Sequence, residues 1–420
     1  KQLKKHKFKS NTDSEVLVHG YEEWGFEGLL KRINGMFAFC VYDKKKDVMF
    51  LTRDRIGKKP LFYHQTDNGF YFASEIKPFF KLKDFKFEID MEMFDLWLGF
   101  PYLPNNQSSI IKGLAKVPPA HYLKYDLKNN NKSITRYYTI DDTQKNISFD
   151  EAKNQLDKLL NESIKQRLMS DVPLGVLLSG GLDSSLITAI AAKYGKVNTI
   201  NISFPGTTID ESGYAQIVAK HCNTNHTELK LSVDEDVFGD FEKNIWIFDD
   251  LSTVDGGLYS TYIMSKKIRE KGIKVVLVGE GADEVFGGYS WFGLSQLPYN
   301  MFGTYVQSLA YYYAIMRIFS KARYKKYHSF MFSKLKDYDG DFFSKVQKFE
   351  IEYSLPNHYC MKVDKGSSAA SIEARAPYLD YKIVDFLCSI PTNYKIKGNW
   401  NSNKESNEKF ILREVAKKYL

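Results

Sequence analysis

Leu177-Leu178-Ser179-Gly180-Gly181-Leu182-Asp183-Ser184-Ser185 decides how this chain is read. Gly175-Val176-Leu177-Leu178-Ser179 is a short buried strand running into glycines, and Leu182 to Tyr194 has the pattern of a helix. A strand that breaks at paired glycines and restarts as a helix is built to cradle an anion. Glycine lets the backbone come close, the free N–H groups of the helix start point at the ligand, and the helix dipole favours negative charge there. Ser179, Ser184 and Ser185 add hydroxyl donors. Asp183 would repel a bare phosphate, so its fitting role is to hold Mg²⁺. The pattern is neither GxxxxGK[ST] nor GxGxxG.

Working outward, strands and helices alternate. Asn198 to Phe204 reads as a strand, Gly213 to His221 as a helix and Lys274 to Gly279 as a strand, with the amphipathic helix Asp150 to Met169 in front. Continuous apolar strands between helices mean a doubly wound parallel sheet. A second cluster, Val278-Gly279-Glu280-Gly281-Ala282-Asp283-Glu284-Val285-Phe286-Gly287-Gly288-Tyr289, again follows a buried strand. Ligands bind at the carboxyl ends of such strands, so this loop is expected in the same site, with Asp283 and Asp183 sharing metal ions that bridge phosphates. In Ser371 to Asp380, Glu373 and Arg375 read as a structural ion pair at a helix start. Lys409 and Arg413 are four apart, which expects both on one helix face.

The front of the chain has a different texture. Met36 to Tyr42 and Val48 to Thr52 flank a charged turn, an expected hairpin buried on both faces. Pro60 to His64 and Phe70 to Ala73 flank Asp67-Asn68-Gly69, a second hairpin. Ser14 to Trp24 is expected to be helical. The sequence therefore divides into a mostly β domain over 1–127, a linker over 128–149 and an α/β domain over 150–420.

Composition narrows the class. The 420 residues are 43% hydrophobic and 26% charged, which excludes a disordered or collagen-like chain. Four cysteines far apart exclude a disulfide scaffold and suit a reducing cytoplasm. The net charge of +8 is modest and local: Arg317, Lys321, Arg323, Lys325, Lys326, Lys334 and Lys336 crowd one stretch. It reads as solvated surface, and no nucleic-acid partner is expected. Residues 285–316 carry no Asp, Glu, Lys, Arg or His but are broken by Gly, Ser, Gln, Asn and Pro298, so they read as aromatic core and a helix around Thr304–Phe319, not a membrane span. The first ten residues are polar, without a signal-peptide pattern.

The Ser-Gly-Gly-x-Asp-Ser loop resembles the pyrophosphate-binding loop of ATP pyrophosphatases. With the later clusters in this order, the chain resembles glutamine-hydrolysing asparagine synthetases. Asn34-Gly35-Met36-Phe37-Ala38-Phe39, Arg53-Asp54-Arg55-Ile56-Gly57-Lys58-Lys59-Pro60-Leu61 and Phe72-Ala73-Ser74-Glu75-Ile76-Lys77 are similar to the amidotransferase domain of that family. The resemblance implies a truncated αββα N-terminal-nucleophile sandwich supplying ammonia to a synthetase domain. There aspartate and ATP would give β-aspartyl-AMP and then asparagine. It implies ATP contacts at Leu177, Ser179, Gly180, Gly181, Asp183, Ser184, Ile202, Val278 and Gly279, and Mg²⁺ on Asp183 and Asp283. Glu280 and Lys409 would be catalytic, Asp13 would bind glutamine, and Tyr289 and Asp364 would lie at the acceptor pocket. The sequence departs from the family in lacking any cysteine before Cys40, where the family places its nucleophile. Chain trimming at both ends is the expected reason. Other acceptors (a sugar uronic acid, a peptide, a β-lactam precursor), an RNA-modifying relative and an inactive relative stay open, and a homodimer is compatible with the sequence.

Overall fold

The computed structural model describes residues 2–67, 69–207, 210–231, 241–249, 257–296, 299–315, 324–397 and 408–420. The chain forms two compact units: Lys1–Ile89 with Asn106–Thr139, and Asp90–Asn105 with Ile140–Leu420.

In the first unit the two expected hairpins form. β1 (Ala38–Asp43) pairs antiparallel with β2 (Val48–Arg53), and β3 (Phe62–Thr66) with β4 (Gly69–Ala73). Short β5 (Ala115–Lys116) joins β3, while β6 (His121–Asp126) and β7 (Asn131–Arg136) extend the first sheet in the order β1-β2-β6-β7. The run Asn129-Asn130-Asn131 lies at the turn between β6 and β7. Strand β2 explains its own composition. Phe50 faces a cluster with Phe26, Leu30 and Tyr122 beneath the helix Asp13–Arg32. Met49 and Leu51 face Leu61, Tyr63, Val117, Leu123 and Tyr125 between the two sheets. A strand covered on both faces must be apolar throughout. The layers are helix, sheet, sheet.

The second unit is built on five parallel strands. β8 (Leu174–Leu177), β9 (Asn198–Ser203), β10 (Asn225–Lys230), β11 (Val275–Leu277) and β12 (Glu373–Arg375) are ordered β10-β9-β8-β11-β12. The chain winds one way from β8 to β10 and the other way from β11 to β12. The order therefore reverses between β8 and β11, the crevice where such sheets bind ligands. Polar β10 and three-residue β12 are edge strands without an apolar run, and so escaped the periodicity reading. The helix Phe149–Arg167 starts at a capping box between Ser148 and Glu151.

Part of the charge-free stretch is core. Phe292, Tyr311 and Tyr312 are buried with Phe100, Tyr327, Met331 and Phe343, so the segment 90–105 packs into this unit. The expected helix runs Tyr299–Ile315, with 316–319 outside the described residues. Among the described residues no helix is long and apolar enough to cross a membrane. Of the basic stretch, Arg317, Lys321 and Arg323 lie outside the described residues. On the helix Tyr324–Lys336 the apolar face (Tyr327, Met331, Leu335) is buried, Lys326 pairs with Asp95, and Lys325 and Lys336 are exposed.

Candidate active site

Two loops meet at the crevice. The first follows β8 and is held by its own serines. The Ser179 N–H donates to Ser184 Oγ (3.2 Å), the two hydroxyls pair at 3.0 Å, Gly181 N–H donates to Ser179 Oγ (3.2 Å), and Ser184 Oγ–H donates to the Gly181 carbonyl (3.2 Å). Gly180 has φ +92°, and a Cβ on it would stand 2.5 Å from Tyr214 Cβ. No other residue fits, in conformation or in space. Gly181 caps the helix Leu182–Ala192 without a side chain, leaving its first N–H groups for a ligand.

The second loop follows β11 and enters the helix Ala282–Phe286. Its acids are held by cations from far along the chain. Lys409 Nζ lies 2.6 Å from Asp183 Oδ2 and 2.7 Å from Asp283 Oδ1, tying the two loops together. Gly288 makes room: a Cβ there would fall 2.0 Å from Lys409 Cε and 2.1 Å from Asp283 Oδ1. Burial pushes the Asp183 carboxyl up against the pull of Lys409. Burial also weakens the Lys409 ammonium, but Asp183 and Asp283 outweigh it and hold its pKa above the ordinary lysine value. Asp183 Oδ1 is buried without a hydrogen-bond partner. A buried carboxylate oxygen left over from an ion pair is a vacant ligand for a hard cation, so the residues fit Mg²⁺.

Glu280 pairs with Lys362 at 3.2 Å, and that ammonium sits 5.3 Å over the Tyr359 ring. Tyr289 stacks between Trp291 (centroids 4.3 Å) and Tyr359 (5.8 Å), and its O–H donates to Glu284 Oε1 at 2.7 Å. Glu284 is 1% exposed, and burial pushes its carboxyl up to about 8. Behind it, buried Glu350 accepts from Tyr311 O–H (2.6 Å) and Trp291 Nε1–H (3.1 Å). Tyr359 and Glu350 bound a ten-residue π-helical stretch (Glu350–Tyr359, with Pro356 inside) between the helices Phe342–Phe349 and Cys360–Ala369. Wide turns of this kind recur at functional sites. Gln347 Nε2–H donates to the Val285 carbonyl (2.6 Å), and buried Lys395 holds Gln347 Oε1 (3.0 Å).

The two loops, with Tyr289, Tyr359 and Lys362, line a cavity of about 450 Å³. Of the expected residues, Leu177, Ser179, Gly181, Asp183, Ser184, Val278, Gly279, Glu280, Asp283 and Tyr289 line it, and Lys409 reaches it through its two ion pairs. Gly180 instead packs on the helix Ser212–His221. Ile202 packs against the cluster of Leu231, Ile247 and Leu258. Asp364 lies on the helix Cys360–Ala369, whose lining members are Lys362, Val363 and Ser367. Asp13 belongs to the other unit, exposed at the first turn of Asp13–Arg32.

Sequence reading missed Lys362, Tyr359 and the role of Glu284. The nearest signal was Lys362 itself, two positions before the Asp364 chosen. Lys409 also sits differently from expectation. It adopts the left-handed conformation (φ 53°) just before the helix Phe410–Ala416, so it shares no helix face with Arg413, whose Nε–H bonds the Glu408 carbonyl. Glu373 and Arg375 do pair (2.6 Å), but on β12 and not at a helix start. The same segment's Tyr378 O–H donates to the Asp183 carbonyl (2.8 Å) and fixes the first loop from behind. Cys40 lies in β1, its thiol pushed up by burial to about 11, as a core residue would be. All four cysteines are free.

The comparisons with known proteins agree with this architecture. Residues 155–420 match the asparagine synthase family and residues 1–138 a glutamine amidotransferase domain. Glutamine-hydrolysing asparagine synthetase 3 of Bacillus subtilis is 29% identical over 98% of this chain and 69% of its own length. Asparagine synthetase B of Escherichia coli is 31% identical over 99% and 63%. Asparagine synthetase 3 of Arabidopsis thaliana is 29% identical over 94% and 57%. The chain thus spans between about half and seven tenths of such relatives. Among solved structures, NMN synthetase of Francisella tularensis aligns over 34% of this chain and 60% of its own at 15% identity, with a TM-score of 0.25 that carries no argument. On the match over most of its length, this chain belongs to the asparagine synthase family.

Proposed function

We propose that the second unit activates a carboxylate with ATP and passes it to ammonia, with aspartate as the acceptor and asparagine, AMP and pyrophosphate as products. The observation that carries this reading is the pairing of loops. A donor-rich glycine–serine loop faces two carboxylates that one lysine holds together, with the Asp183 Oδ1 atom left over. When bound, Mg²⁺ on Asp183 and Asp283 would neutralise phosphate charge.

The acceptor carboxylate attacks the α-phosphorus, and pyrophosphate leaves. The N–H groups that open Leu182–Ala192, with Ser179 and Ser184, face the charge that develops on it, and Lys409 adds a positive charge beside it. Glu280, oriented by Lys362, faces the acyl-adenylate as it forms. Ammonia then displaces AMP. The front unit carries the amidotransferase match, so glutamine is the proposed source of ammonia, with Asp13 at its amino group. Free cysteines suit a reducing, cytoplasmic setting.

The test is exchange of labelled pyrophosphate into ATP in the presence of aspartate and a panel of other carboxylic acids. Exchange with aspartate supports the reading, and none with aspartate overturns it. A second reading keeps the chemistry and changes the acceptor. The aromatic wall of Tyr289, Trp291 and Tyr359 beside Glu280 favours it, and exchange with a bulkier acid alone would select it.

A further inference from the structure

The first unit carries a second cluster of chemical groups, remote in sequence from every residue assigned above except Asp13. His6 stands in the segment before the helix Asp13–Arg32, and His19, Glu22, Glu23 and Glu15 stand on that helix. His6 Nδ1 and His19 Nδ1 face each other at 3.1 Å. Glu22 Oε2 lies 3.3 Å from His19 Nδ1 and 3.7 Å from His6 Nδ1. The far ring nitrogens are both engaged. His6 Nε2 meets Glu23 Oε2 at 3.2 Å, and His19 Nε2 meets Glu15 Oε1 at 3.3 Å.

Carboxylates accept only, so each Nε2 carries its proton and donates it. In the neutral imidazole the Nδ1 atoms then hold lone pairs, and two lone pairs face one another at 3.1 Å. That arrangement repels unless a positive charge sits between them, either a metal ion or a proton on one Nδ1, for which Glu22 is also an acceptor. Three carboxylates around two imidazoles call for more than one positive charge.

We propose that His6 Nδ1, His19 Nδ1 and Glu22 form a binding site for a divalent transition metal, zinc above all. The geometry is quantitative. A point equidistant from three atoms separated by 3.1, 3.3 and 3.7 Å lies about 2.0 Å from each, which is the zinc–nitrogen and zinc–oxygen bond length. Two imidazoles with one carboxylate are a zinc donor set, with a fourth position left for water. Glu23 and Glu15 sit where carboxylates orient metal-binding histidines through the opposite ring nitrogen. Glu15 is itself fixed by the N–H groups of Lys9 and Ser10, both at 2.7 Å. The side chains of His6 and His19 are 16% and 17% exposed, so the ion has an entry path. The metal would clip the segment before Asp13 to the helix.

The full chain, stripped with a chelator, is titrated with Co²⁺ and then competed with Zn²⁺. One equivalent of Co²⁺ showing intense tetrahedral visible bands, displaced by Zn²⁺, is expected. His6→Ala and His19→Ala should each abolish those bands, and Glu23→Gln should weaken binding about 10–100-fold. Far-ultraviolet circular dichroism and pyrophosphate exchange in the same variants check that they stay folded. Absence of a tetrahedral equivalent in the parent chain overturns the proposal, as do bands unchanged in both histidine variants. A single proton shared between the rings, seen by imidazole ¹⁵N titration without Co²⁺ uptake, overturns it as well.

Discussion

The two loops at the crevice face the same cavity and are held in opposite ways. The loop after β8 is held chiefly from within: Ser179, Gly181 and Ser184 satisfy one another within six positions, with Tyr378 added from behind. The loop after β11 is held mainly from outside, by Lys409, Lys362 and Gln347, which lie 62 to 126 positions from the groups they hold. A loop built on local hydrogen bonds keeps its shape when one of them is lost. A loop of three acids, one fully buried and two partly, depends on each partner, because an unmatched desolvated charge costs far more than a missing hydroxyl.

Asp183 belongs to both systems, so its removal should be the largest effect. Asp183→Ala should lower pyrophosphate exchange about 10³-fold or more, equivalent to about 4 kcal/mol of barrier. Near-parental exchange would break the assignment. Next is Lys395, which supports the second loop through Gln347. Its folded-state pKa is pushed down by burial from 10.5 to about 8. Between those values the unfolded chain binds more protons, so stability rises with pH across the window. Urea unfolding at pH 8 and 10 should show the parent gaining about 2 kcal/mol relative to Lys395→Met. An unchanged difference would show that this support is not electrostatic.

Tyr289→Phe deprives buried Glu284 of its donor. It should cost about 2 kcal/mol of stability. The cost should grow as pH rises through about 8, because the ionised carboxylate needs the donor most. A pH-independent loss would point to packing alone. The smallest effect is expected in the first loop: Ser184→Ala should reduce exchange roughly tenfold, about 1.4 kcal/mol, and lower stability by less than Tyr289→Phe does. A loss comparable to that of Asp183→Ala would erase the contrast between the loops.

The same contrast explains what could be read in advance. Leu177 to Ser185 encodes its strand, turn, helix and donors within nine neighbouring residues, so both shape and chemistry were legible. The hairpins of the first unit were legible for a related reason, since β2 is apolar on both faces and each connection is a short polar turn. The partners of Glu280 were not. Lys362 and Tyr359 reach the cavity from the end of a π-helical stretch, where spacing by 3.6 no longer says which side chains share a face. Lys409 was recognised as a cation for the site, yet helical spacing misplaced its backbone, because nothing local announces a left-handed lysine.

That backbone has an evolutionary consequence. A residue with a Cβ held at φ 53° bears a cost of roughly 1–2 kcal/mol that glycine would escape. Glycine there would release that strain but strip Asp183 and Asp283 of their shared cation, so the strained lysine persists because its ion pairs outweigh the backbone cost. One codon thus answers to two opposing demands, a relaxed backbone and a paired charge.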